Sequence, residues 1–276
     1  MKAASAEASL VQAVIFDFDG SMADTERDGH RVSYNLAFTE AGLPWVWDVE
    51  TYGQLLRFRS GQARLAEYSA LHPMPDAEPL DASQIAALHA AKTRIFGDLV
   101  SRGSVPLRPG VERLISECRS RGVKLAIVSG TSRSNVESLI AGTMGKSALA
   151  GFAVVVTGNN EFAKKPDPAG YVHALAQLEI APDRCVAIED SYAGVRSAFE
   201  AGVPALITSN AYTRVENFSG AMAILSDLGE PGQPYHQFYG TRLHQGYVTL
   251  SSLQQWRRTH SRPSMSDLEA MGKFLG

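Results

Sequence analysis

Short apolar runs rich in β-branched residues recur along this chain, and between them the apolar positions spread to every third or fourth residue. Val14-Ile15-Phe16 is the first run, with the length of a buried strand. From residue 103 onward the two patterns alternate. Strands are predicted at 124–129, 153–157, 184–188, 205–208 and 222–225. Helices are predicted from Pro109 to a stop at Gly122, and over 132–140, 167–178 and 192–201. Strands alternating with helices imply right-handed crossovers and a parallel sheet covered on both faces.

Between the first strand and residue 103 the spacing stays helical. Asp24 or Thr25 can cap a helix running through Arg31, Tyr34, Leu36 and Phe38 to Gly42. Helical patterns follow at 49–58, 62–71 and, beyond the breaks at Pro73, Pro75 and Pro79, at 83–100. The aromatic set Tyr34, Phe38, Trp45, Trp47 and Tyr52 is expected to form the core of this block. The fold class is therefore α/β: a Rossmann-like core of 1–23 and 103–232, with a helical cap of 24–102 inserted after the first strand. Past Gly229 the pattern is lost. Residues 233–276 are expected to wrap onto the core, with short helices at 251–258 and 266–274.

The chemistry gathers at the ends of the strands. The first run closes on Asp17 and Asp19 before Gly20, and extended backbone puts both carboxylates on one side. Two acids this close call for a cation, and open α/β sheets bind ligands beyond the carboxyl ends of their strands, where strand order reverses. A calcium-binding EF-hand is excluded, because its required sixth-position glycine is Met22 here. The second strand ends in Ser129-Gly130-Thr131, where a hydroxyl and backbone N–H groups at a helix start can hold phosphoryl oxygens, although a serine there also serves as a plain helix cap. Pro166 gives Lys165 an extended approach that aims its ammonium inward while Lys164 stays in water; the alternative for both is surface charge. The fourth strand runs straight into Glu189-Asp190. With Asp17 these make three hard oxygen ligands, which favour Mg2+ over Zn2+. Met144-Gly145-Lys146-Ser147 fails as a phosphate-binding P-loop, since its first glycine would fall at Ile140.

A formal net charge of -3 over 276 residues gives no electrostatic footprint for nucleic acid or an anionic membrane. Cys118 and Cys185 are too few for a disulfide framework, and neither a leader-type apolar stretch nor a membrane-length run is present. A cytoplasmic monomer acting on a small molecule is expected, without nucleic-acid or membrane partners.

Four segments, DFDGSMADTE, IVSGTS, KKPDP and VAIEDSYAGVRSAFEAGV, resemble in order and wording the motifs of the haloacid dehalogenase superfamily. The helical block looks like the small four-helix cap of the subgroup containing phosphoglycolate phosphatase and β-phosphoglucomutase. The stretch DTERDGHRVSYNLAFTEAGLPWVWDVETYGQLL is similar to the CbbY branch, whose members hydrolyse xylulose-1,5-bisphosphate. The resemblance implies a nucleophile at Asp17 and a general acid/base at Asp19, with Ser129, Gly130 and Lys165 on the phosphoryl group. It implies Mg2+ held by Asp17, the backbone carbonyl of Asp19, Glu189 and Asp190. Glu26, His30 and Arg31 match pocket-lining positions, and Arg64 matches a phosphate-contacting arginine. Gln62 departs from the pattern, standing where a lysine is usual; it keeps a donor and loses a charge, for which Arg59 or Arg64 would have to compensate. The implied activity is a Mg-dependent sugar-phosphate phosphatase working through an aspartyl-phosphate on a bisphosphate such as xylulose-1,5-bisphosphate. The alternatives are phosphoglycolate hydrolysis and β-phosphoglucomutase-like transfer. A non-catalytic phosphosugar-binding protein would have no need of a paired nucleophile and acid.

Overall fold

The computed structural model describes residues 11–58, 60–74, 78–160 and 162–260. Among these, residues up to Asp24 join those from Pro106 onward in one compact unit, and those of Thr25–Val105 form a second.

The second unit is helical. A π-helical turn, Thr25–His30, leads into α1 (Arg31–Glu40), followed by α2 (Val49–Leu55), α3 (Gly61–Leu71) and α4 (Ala82–Ser101). The opening turn is wider than the α-helix expected from the sequence. Gly29 sits there with the Phe96 ring so close that a Cβ could not be accommodated. Side-chain caps set the next three starts: Asp48 accepts from the Thr51 amide, Ser60 from Ala63, and Asp81 forms a capping box with Gln84. Tyr34, Phe38, Trp45, Trp47 and Tyr52 are all buried, with ring centroids 4.6 Å apart for Tyr34–Trp47 and 4.9 Å for Phe38–Trp47. Burying one such ring contributes about 2–3 kcal/mol, so the cluster is a substantial stabilisation of this unit.

The first unit is the α/β layer. Its strands are β1 (Ala13–Phe16), β2 (Lys124–Val128), β3 (Val154–Val156), β4 (Cys185–Glu189), β5 (Ala205–Thr208), β6 (Ala223–Leu225) and β7 (Gln237–Tyr239). Its helices are α5 (Val111–Ser120), α6 (Arg133–Met144), α7 (Ala169–Leu178), α8 (Tyr192–Glu200) and α9 (Leu250–Thr259). The sheet order is β3-β2-β1-β4-β5-β6-β7, parallel throughout except for the antiparallel edge strand β7. The fold class is thus α/β with a mostly parallel sheet. Every residue of β1, β4 and β5 is buried, which is why these strands read as continuous apolar runs.

The sequence pattern did not show β7. Phe238 and Tyr239 are exposed, so no alternation marks the strand, and pairing with β6 alone defines it. From the segment after it, Trp256 of α9 is fully buried and donates its indole N–H to Thr241 O at 2.7 Å, while Arg113 of α5 donates to Val248 O at 2.7 Å. The helix expected at 266–274 lies outside the described residues.

Candidate active site

Phe16 pairs with Ile127 on one side and Ile188 on the other, so Asp17 leaves the sheet level with the ends of β2 and β4. The amide of Asp17 still donates to Ile188 O at 2.9 Å, which fixes its backbone before the chain turns. Beyond β1 the order reverses: β2 and β3 lie to one side, β4 and β5 to the other. The acids therefore stand at the switch point of the sheet, where ligands bind in such folds.

Four of the residues picked from the sequence meet there. Lys165 Nζ donates to Asp17 Oδ1 and to Glu189 Oε1, both at 2.6 Å. Asp17, Glu189 and Asp190 each present a carboxylate oxygen, and these atoms all lie within 4.8 Å of one another. The three are buried, Glu189 to 0% exposure. Burial pushes the Glu189 carboxyl up to about 7, with the Lys165 ammonium opposing the rise and the Asp17 charge adding to it. Asp190 is held well above the usual carboxylate range by burial and then by the charges of Asp17 and Glu189. Burial alone would lower Lys165, but Asp17 and Glu189 outweigh it and raise it above an ordinary lysine.

Three buried acids against one ammonium leave a deficit of positive charge. Glu189 Oε2 has no hydrogen-bond partner among the described residues. An orphaned carboxylate oxygen in a fully buried site is costly, and an all-oxygen donor set suits a hard divalent cation. The residues present therefore fit Mg2+.

Ser129 and Gly130 follow the end of β2, beside β1. The Ser129 hydroxyl accepts from the Thr131 amide at 3.1 Å and so is held at the start of the turn into α6. Asp19 is half-buried and pairs through its backbone with Ala23 in a tight turn closed by Gly20 N to Ala23 O at 2.8 Å. Gly20 has φ +85°, and a Cβ on it would collide with the Asp190 carboxylate, so only glycine serves there.

Three residues of this centre carried no signal in the sequence. Tyr171 of α7 donates its hydroxyl to Glu189 Oε1 at 2.5 Å, Asn210 donates to Asp190 Oδ2 at 2.6 Å, and Arg108 is buried against the turn after β1. None belongs to a motif; each is reached through packing between segments distant in sequence.

The remaining candidates lie in the helical unit. Glu26 Oε2 accepts from Tyr52 OH at 2.5 Å, and that hydroxyl accepts from Arg64 Nη1 at 3.2 Å, so Glu26 and Arg64 share one tyrosine. His30 stacks on Phe96 with centroids 3.9 Å apart, and its Nδ1 lies 2.8 Å from Lys92 Nζ. Burial, then the charges of Lys92, Arg64 and His89, hold His30 well below its ordinary value, so the ring is neutral at pH 7. Arg31 donates to the backbone carbonyls of Arg27 and Trp47, each at 3.1 Å, which ties down the segment before α2. Gln62 is exposed in the first turn of α3, and Arg59 lies outside the described residues.

A family model described as haloacid dehalogenase-like hydrolase matches residues 11–202. The chain belongs to that family, and it is an enzyme of the phosphatase class. Within the family it falls in the CbbY-like branch. It is 36% identical over 247 residues to the plasmid-encoded protein CbbY of Cupriavidus necator, covering 89% of this chain and 96% of that one. To protein CbbY of Rhodobacter capsulatus it is 41% identical over 218 residues, 79% of this chain and 94% of the other. A crystal structure of a CbbY variant from Rhodobacter sphaeroides in complex with xylulose-(1,5)bisphosphate matches with a TM-score of 0.63 at 38% identity, covering 81% of this chain and 97% of that one. Among the described residues no helix is long and apolar enough to cross a membrane.

Proposed function

We propose that the chain is a Mg2+-dependent sugar-phosphate phosphatase that works through an aspartyl-phosphate on Asp17 and acts on a sugar bisphosphate of the xylulose-1,5-bisphosphate kind. The observation that carries this is the convergence of Asp17, Lys165, Glu189 and Asp190 at the switch point, with one buried carboxylate oxygen left for a cation. The relative crystallised with xylulose-(1,5)bisphosphate supports the substrate class.

In this reading a carboxylate oxygen of Asp17 attacks phosphorus, and the bond from phosphorus to the sugar oxygen breaks as Asp19 gives that oxygen its proton. Asp19 then takes a proton from water, the water oxygen bonds to phosphorus, and the acyl-phosphate bond to Asp17 breaks, releasing inorganic phosphate. Phosphoryl transfer asks mainly for positioning and charge neutralisation. Lys165 holds the nucleophile and supplies positive charge, and Ser129 with the Gly130 backbone is aimed at the phosphoryl oxygens. Mg2+, when bound by Asp17, Glu189, Asp190 and the Asp19 carbonyl, neutralises charge on the transferred group. The helical unit serves as the cap, with Glu26, His30, Arg31, Gln62 and Arg64 as its substrate-facing candidates, in a cytoplasmic enzyme.

Phosphate release from a panel including xylulose-1,5-bisphosphate, 2-phosphoglycolate and β-glucose 1-phosphate, with Mg2+ and with EDTA, tests the reading. Asp17→Asn should fold and show no turnover. Full activity in that variant, or activity indifferent to EDTA, would overturn it.

A further inference from the structure

The turn after β1 is held from outside by one side chain. Arg108 is 8% exposed and stands two residues past the point where the chain re-enters the α/β unit. Its Nη1 donates to the carbonyl of Gly20 and, at 2.7 Å, to that of Thr208. Its Nη2 donates to Ser209 O at 2.9 Å and Ser226 O at 2.5 Å, and its Nε lies 3.4 Å from Asp24 Oδ1. The Arg108 amide also donates to Met22 O at 2.8 Å, and Leu107 bridges to Ala23. A single guanidinium thus joins the Gly20–Asp24 turn to the ends of β5 and β6.

This geometry bears on two acids of the site. Gly20 is the residue after Asp19, and the turn is stiffened by Met22 N to Phe18 O at 3.0 Å, so displacing the Gly20 carbonyl carries Asp19 with it. On the other side, Ser209 precedes Asn210, whose amide holds Asp190. A planar fork with several fixed donors can reach carbonyls in divergent directions; an ammonium on a flexible stem cannot span them.

We propose that Arg108 is a positioning residue for the protonating carboxylate Asp19, acting through the Gly20 carbonyl. The inference rests on the reading of Asp19 as the acid. If it holds, loss of the fork impairs bond breaking where the leaving oxygen needs a proton, as in an alkyl ester, and spares a leaving group that departs as a stabilised phenolate. An acid contributes about a hundredfold or more, and a misplacement of about 1 Å can cost a comparable factor.

The test compares kcat/KM of Arg108→Lys and Arg108→Ala on xylulose-1,5-bisphosphate and glycerol 1-phosphate with that on p-nitrophenyl phosphate. The expected result is a loss of about a hundredfold on the alkyl esters against less than about threefold on the aryl ester, with guanidinium ion added to Arg108→Ala recovering part of the alkyl activity. Equal losses on both ester types, no loss, or failure of both variants to fold would overturn the proposal. Asp19→Asn run alongside keeps the two readings apart. A variant of Asp19 that loses both ester types equally removes the acid assignment itself; an ester-selective Asp19→Asn with non-selective Arg108 variants removes only the role of Arg108.

Discussion

Glu189 sets up the most direct physical test of the site, because its acidity and its burial are opposed. A glutamate in an unfolded chain titrates at about 4.5, whereas this one is raised to about 7. A carboxyl raised in the folded state contributes stability that is fully present below its unfolded pKa and is lost as pH rises through the folded value. For the metal-free protein the window therefore runs from about 4.5 to 7. A displacement of roughly 2.5 pH units corresponds to about 3 kcal/mol for a group with no exposure. The sign is opposite to that of an ordinary salt-bridged carboxylate, which is stabilising at neutral pH. Calorimetric unfolding in EDTA between pH 5 and 8 should show the melting temperature of the α/β unit falling by about 6–12 °C. Saturating Mg2+ should flatten that slope, since a cation bound to the folded acids favours their ionised forms. Glu189→Gln should lessen it without metal, leaving the part due to Asp190. A metal-free protein whose stability rises over this window, or a slope unchanged in Glu189→Gln, would refute the electrostatic account of the site.

Other substitutions probe separate parts of the molecule. Gly194→Ala places a Cβ against Glu189 Oε2, so it should cost about 1–3 kcal/mol of stability and weaken Mg2+ binding measured by calorimetry; wild-type affinity would mean that this oxygen is not a ligand. Gln62→Lys restores the charge absent from α3 and should raise kcat/KM for a sugar bisphosphate by about tenfold relative to its monophosphate, a ratio that product assays follow directly. Lys92 is lowered to about 8, chiefly by burial, so its contribution runs the other way: stability of the helical unit should rise by about 1.5 kcal/mol as pH climbs from about 8 to about 9.5, below the range in which the raised Tyr34 and Tyr52 hydroxyls oppose it, and Lys92→Met should abolish that slope in tryptophan-monitored unfolding.

The parallel strands and their carboxyl ends were legible from the sequence for a simple reason. A strand covered on both faces is apolar up to its last residue, Glu189 in β4 and Thr208 in β5, so the run and its polar stop are both visible locally, and β5 matches residue for residue the 205–208 expected. The acids Asp17, Glu189 and Asp190 were conspicuous because charged groups seldom follow such runs directly. Helix ends were less legible: α6 runs through Gly142 to Met144, beyond the 140 expected, and stops only at Gly145, whose φ is +92°. The π-helical turn carries Gly29 close under Phe96, a contact within the helical unit that periodicity does not encode.

What the chain alone determined was which segments are buried and where they end in charge, because both follow from the local alternation of apolar and polar side chains. What only the tertiary structure decided was the company those charges keep. Lys165 meets Asp17 across 148 residues of sequence and Arg108 meets Gly20 across 88. The helix carrying Tyr171 and the loop carrying Asn210 are brought to Glu189 and Asp190 by the order of the parallel strands. These contacts arise from the closing of crossovers over a twisted sheet, and their energies depend on a burial that does not exist until that closing is complete.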